Sequence, residues 1–128
     1  MSTRLPFLYI AEIPKKGRAV FTARFIPEGS SIESCPVIVL SASDKAVIHQ
    51  TRLHDYYFLW GEEGECAIAL GFGSIYNHAS DPNADYSMDT DQLTIDVYAL
   101  RDIQAGEEIT FSYTEGGNEE TVLWFEED

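Results

Sequence analysis

Cysteine is scarce in this chain of 128 residues, limited to Cys35 and Cys66. Two thiols cannot build a zinc site from cysteines, and their apolar or small neighbours mark both as buried free thiols. No apolar run approaches the length of a membrane span. The first residues, MSTRLPFLYIAEIPKKG, lack the long apolar centre and small-residue cleavage site of a signal peptide, so a cytoplasmic protein is expected. Basic residues nearly vanish after residue 52. Residues 53–128 hold one Lys or Arg against eighteen Asp and Glu, whereas residues 1–52 hold seven against four. With a net charge of −14, such a field repels nucleic acid and anionic lipid and attracts basic polypeptide. Internal repeats and low-complexity tracts are absent as well.

What is present suits a single globular domain. Apolar residues make up 45% of the chain and aromatics 12%, enough to bury a core but in too short a chain for two. Short strands are expected over Leu5 to Ile13, Ala19 to Ala23 and Ser31 to Leu40, with Pro36 marking a break or an edge. Ser43 is placed to cap a short helix through Asp44 to Leu53. Further strands are expected at Tyr56 to Trp60 and Cys66 to Leu70, joined by the acidic turn GEEGE. Gln92 to Ala99 alternates apolar and polar, and Glu108 to Tyr113 reads as the last strand. Many short strands between turns, with little helix, predict a β-rich fold and not a parallel α/β sheet.

Three blocks carry the chemistry. In Leu70 to Asn83, LGFGSIYNHASDPN, two close glycines allow tight backbone approach, and the adjacent Asn77 and His78 supply donors and acceptors in a confined space. Asp81-Pro82-Asn83 closes this block with turn chemistry. Some thirty residues later comes Gly106 to Tyr113, GEEITFSY. The earlier Lys15 to Phe21, KKGRAVF, is a basic turn whose backbone groups beside Gly17 suit an α-carboxylate and an α-ammonium. His49 and His54, five apart, lack helical ligand spacing and read as surface or capping residues. Glu62 to Glu65 and the tail after Gly116-Gly117 are acidic. The tail also carries Val122, Leu123, Trp124 and Phe125, which need cover from this chain, a second copy or a ligand.

In order and spacing these blocks resemble the SET domain, the family of S-adenosylmethionine-dependent protein lysine methyltransferases. The similarity runs from about Phe7 to Tyr113, and the chain looks most like the minimal single-domain proteins of viral and bacterial type. The resemblance implies one SET domain over residues 1–128, with its core at about 7–113. The fold implied is a β-clip of short antiparallel sheets, with knot-like threading of the C-terminal segment. Residues 114–128 stand in place of a zinc-binding tail, and no metal is expected. Asn77 and His78 match the cofactor-binding pair. Gly17, Arg18 and Ala19 match a Gly-x-Gly segment that contacts the methionine part of the cofactor, with alanine for the second glycine.

The resemblance also places Tyr113 at the catalytic position and Tyr56 on the substrate channel, with Tyr57 as the register alternative. Phe111 sets the channel width, and Trp124 or Phe125 can supply an aromatic lid. Methyl transfer from a sulfonium to an amine needs a neutral amine and a straight approach, and an apolar aromatic channel provides both. Phenylalanine at 111 leaves room for di- or trimethylation, where a tyrosine would crowd the amine. The implied substrate is a basic, histone-like segment of a protein, met in the cytoplasm or, for a viral protein, the host nucleus. A homodimer is possible. The alternatives are a non-catalytic peptide-binding module on the same scaffold and a small carbohydrate- or partner-binding β domain. The former need not bind S-adenosylmethionine.

Overall fold

The β-branched run Ser31–Leu40, SIESCPVIVL, forms the longest strand, β3, with the bounds its composition predicts. In the computed structural model, which describes residues 4–14 and 17–112, this strand serves two neighbours in turn. Its first half pairs antiparallel with β8 (Thr94–Ala99), and its second half with β5 (Glu65–Ala69). Pro36 sits at the handover, where a residue without an N–H costs the ladder least, and its carbonyl accepts from the Leu70 N–H at 2.9 Å. With β4 (Tyr57–Trp60) and β7 (Ala84–Asp89) at the edges, the sheet order is β4-β5-β3-β8-β7.

Strict alternation in β8 buries Ile95, Val97 and Ala99 on one face. They join Ile32, Cys35, Phe58 and Trp60 in a core that also takes in Ile103 and Ile109. β1 (Leu8–Ile13) and β2 (Gly17–Thr22) make a separate hairpin, with Tyr9 stacked on Phe21 at 5.6 Å. The hairpin is held from its far side. Val20 accepts from Ile109 N–H at 2.8 Å, and Thr22 donates to the Glu107 carbonyl at 3.2 Å.

Three expectations need correction. The helix α1 runs Ala42–Ile48, and its cap is Ser41, whose hydroxyl accepts from the Asp44 N–H at 3.1 Å; Ser43 lies inside the helix. A separate 3-10 turn, Arg52–Asp55, follows where one longer helix was expected. The strand β7, ADYSMD, escaped the sequence reading because an edge strand needs little apolar character. His49 does cap a helix, closing α1 at its C-terminal end while its Nδ1 lies 2.8 Å from the Tyr57 hydroxyl. Both cysteines are buried and free.

Candidate active site

Asn77–His78 is a two-residue strand, β6, and its partner is another, β9, at Thr110–Phe111. They run parallel, Asn77 opposite Thr110 and His78 opposite Phe111. The Ala79 N–H extends the ladder to the Phe111 carbonyl at 3.2 Å. Two blocks far apart in the sequence thus converge on one spot.

Asn83, read from sequence as turn chemistry, is the clamp that holds them. Its amide donates to the Glu108 carbonyl at 2.8 Å, and its oxygen accepts from the Thr110 N–H at 2.9 Å. Buried to 4% exposure, it satisfies one donor and one acceptor of the incoming segment. An asparagine is the natural residue for that double duty, which is the signal the turn reading overlooked.

On one side of this ladder, Asn77 donates from its amide nitrogen to the Glu108 carboxylate at 2.9 Å and to the Arg18 carbonyl at 3.3 Å. Both amide hydrogens are therefore committed, and the side-chain oxygen accepts from no described residue. The Arg18 carbonyl and the Glu108 carboxylate converge on the amide nitrogen, and the amide oxygen on the other branch remains as a third acceptor. That is a set of acceptors suited to an ammonium group. Gly17 opens β2 at φ +79°, a backbone state that disfavours side chains, and a Cβ there would meet nothing within 4 Å. Ala19 is fully buried in β2 opposite Ala11, so its methyl group fills core space and leaves the exposed face of the turn unchanged.

On the other side, Phe111 is fully buried within a cage of rings. Its centroid lies 4.8 Å from Tyr86, 5.4 Å from Tyr76 and 6.2 Å from Phe58. Tyr56 ends the 3-10 turn with its side chain partly exposed. Its carbonyl accepts from the Ser74 hydroxyl at 3.3 Å, which ties it to the loop leading into Asn77. Tyr57 instead engages His49, so the two neighbouring tyrosines are separated by environment. Burial pushes the Tyr57 phenol up from its ordinary range. Tyr113, Trp124 and Phe125 lie outside the described residues, as do Lys15 and Lys16.

Beneath the site sits a carboxylate no motif announces. Glu33 on β3 is 2% exposed and accepts from the Tyr76 hydroxyl at 2.6 Å, the Phe72 N–H at 3.1 Å and the Arg4 guanidinium at 3.2 Å. Arg4 in turn lies over the Phe72 ring at 3.9 Å. Burial and the adjacent carboxylate raise the Tyr76 phenol and the Cys35 thiol far above their usual values, so both stay protonated. A charge in an otherwise apolar strand was the available clue to Glu33.

Residues 17–114 match the SET domain as a family. The chain belongs to the SET-domain family. A fission yeast relative, the Schizosaccharomyces pombe histone-lysine N-methyltransferase specific for H3 lysine-37, is 36% identical over 122 residues, 94% of this chain and 78% of that protein. Among solved structures, a Plasmodium falciparum protein put forward as a histone methyltransferase superposes with a TM-score of 0.68 at 28% identity. The match covers 85% of this chain and 94% of that one. The Neurospora SET domain protein DIM-5, a histone lysine methyltransferase, gives 0.66 at 18% identity, over 83% of this chain and 51% of that one, and shares the fold. The chain is an enzyme of the protein-lysine N-methyltransferase class.

Proposed function

We propose that this methyltransferase moves a methyl group from S-adenosylmethionine to a lysine in a basic, histone-like segment of another protein. The observation that carries the reading is the β6–β9 ladder, which puts the acceptor set around Asn77 directly beside the buried Phe111 cage. The fit to the cofactor rests on this chain's own groups. Asn77, the Arg18 carbonyl and Glu108 hold the α-ammonium, the open turn at Gly17 and Arg18 takes the methionine end, and His78 borders the adenine. When bound, S-adenosylmethionine supplies an electrophilic methyl on a sulfonium.

The residues around it do the rest. Apolar rings at Phe111 and Tyr56 desolvate the incoming lysine, which lowers its pKa and favours the neutral amine. By their match to family positions, Tyr113 is assigned the orienting of the amine and Trp124 a share of the substrate channel; both lie outside the described residues. Confinement supplies the alignment that an in-line displacement needs. The acidic surface at Glu62, Glu63 and Glu65 and the acidic second half of the chain draw in a lysine-rich segment, met in the cytoplasm or a nucleus.

Incubation with labelled cofactor and a panel of basic proteins tests the activity. Replacing Tyr113 by Phe should lower turnover by about a hundredfold or more, the scale of losing one positioned polar group at a reacting centre, with cofactor affinity unchanged. Full activity in that variant would refute the assignment of Tyr113. Failure of the wild-type protein to bind S-adenosylmethionine in calorimetry would refute the cofactor.

A further inference from the structure

We infer that Glu33 is a positioning residue of the cofactor site, acting through Tyr76 and Phe72 to set the place of Asn77 and His78. The inference rests on the reading of that pair as cofactor-binding. Glu33 belongs to β3, the strand at the centre of the large sheet, and none of the three sequence blocks contains it. Its two carboxylate oxygens grip opposite ends of the 72–76 loop. One accepts from Tyr76 Oη at 2.6 Å, and the other from Phe72 N–H at 3.1 Å. Tyr76 is the residue immediately before Asn77, and its ring, 1% exposed, also lies against Phe111.

The loop is shaped around this carboxylate. Gly71 adopts φ +65°, and a Cβ there would collide with the Glu33 carboxylate oxygen. A Cβ at Gly73 would lie 2.6 Å from the Ala69 methyl and 2.9 Å from the Cys35 sulfur. The glycines of this block therefore let the backbone close onto β3, so the sheet interior fixes the loop from below. Arg4 completes the charge balance at 3.2 Å from the second oxygen. A buried carboxylate with three donors of this kind holds geometry because each donor loses its partner if the loop shifts.

Glu33→Gln and Tyr76→Phe, singly and together, test this. The carboxamide of Glu33→Gln keeps one acceptor oxygen and loses the charge, so Tyr76 Oη and the Phe72 and Arg4 donors can no longer all find an acceptor, and Tyr76→Phe removes one donor while leaving the carboxylate. We expect the dissociation constant for S-adenosylmethionine to rise by roughly tenfold or more in each, the scale of a hydrogen bond to a charged group. Turnover at saturating cofactor should stay within about twofold. The double variant should be no weaker than the worse single, because both act through one contact.

Ile95→Ala, in the core of β8, should lower the melting temperature comparably and leave that constant unchanged. An unchanged constant in Glu33→Gln beside a lowered melting temperature would overturn the proposal. Should the wild-type protein not bind S-adenosylmethionine, the cofactor reading fails, and amide exchange without ligand decides on Glu33. Residues 72–79 should then exchange at least about tenfold faster in Glu33→Gln, with β8 unchanged. Equal protection there would also overturn it.

Discussion

The side-chain amide of Asn77 donates to the carboxylate of Glu108 at 2.9 Å, across 31 residues of chain. That bond fixes which way the asparagine faces. With its nitrogen held by Glu108 and Arg18, only its oxygen remains as an acceptor, and an oxygen selects a donor. Asn77→Ala removes that acceptor together with the two N–H groups that hold Glu108 and Arg18, so it should weaken S-adenosylmethionine binding by about tenfold or more. Glu108→Gln should weaken it as well, because the cation loses its charged neighbour. Titration calorimetry on both variants measures this, and tight binding by Glu108→Gln would remove Glu108 from the ammonium site.

Phe111 is expected to govern how many methyl groups are added. Its ring is enclosed by Tyr86, Tyr76 and Phe58, so a hydroxyl added at its edge has little room. Phe111→Tyr should shift products toward monomethyl-lysine, read by mass spectrometry at exhaustive turnover. A wild-type protein that stops at monomethyl-lysine would contradict this. Phe111→Ala should instead cost about 3–5 kcal/mol of stability, as emptying a packed aromatic site does.

Two glycines with the same backbone sign should behave differently. Gly17 and Gly71 both hold positive φ, which costs an alanine roughly 1–2 kcal/mol. At Gly17 that is the whole cost, since its Cβ would meet open space. At Gly71 the added carbon also displaces the Glu33 carboxylate, and losing a charged hydrogen bond there adds about 1.5–3 kcal/mol. Denaturant midpoints should rank Gly71→Ala well below Gly17→Ala.

Alkaline pH should unfold the protein earlier than it would a chain without Cys35 and Tyr76. Both groups have folded pKa values raised by burial and by Glu33, so the unfolded chain releases their protons first. Fewer protons are then bound in the unfolded state, and stability falls as pH rises through the ordinary thiol and phenol values of about 8.5 and 10. Each such proton contributes a slope of about 1.4 kcal/mol per pH unit. Below pH 8 the contribution is fully present. Tyr76→Phe should flatten the upper part of the curve, and a denaturation series from pH 7 to 11 checks it.

Much of the architecture is legible in the sequence because it is local. Ser31–Leu40 announces itself by β-branching, and Thr94–Ala99 by strict alternation. The polar edge strand at Ala84–Asp89 has no such pattern. The pairing of Asn77–His78 with Thr110–Phe111 has none either, since two residues cannot display a period and their partner is distant. Resemblance, not periodicity, pointed to that meeting. Neither source pointed to Glu33 or Asn83, because a buried carboxylate and a buried amide take their meaning from donors supplied elsewhere.

The short parallel ladder has a temporal consequence. Its second strand is among the last described parts of the chain to leave the ribosome, so every earlier residue emerges before Asn77–His78 can find its partner strand. A nascent polypeptide ending before Thr110 should accordingly remain inert toward nucleoside ligands. Such distant pairing also slows the final step of folding relative to the hairpins that precede it. The two distant blocks meet only when the late segment docks beside Asn77.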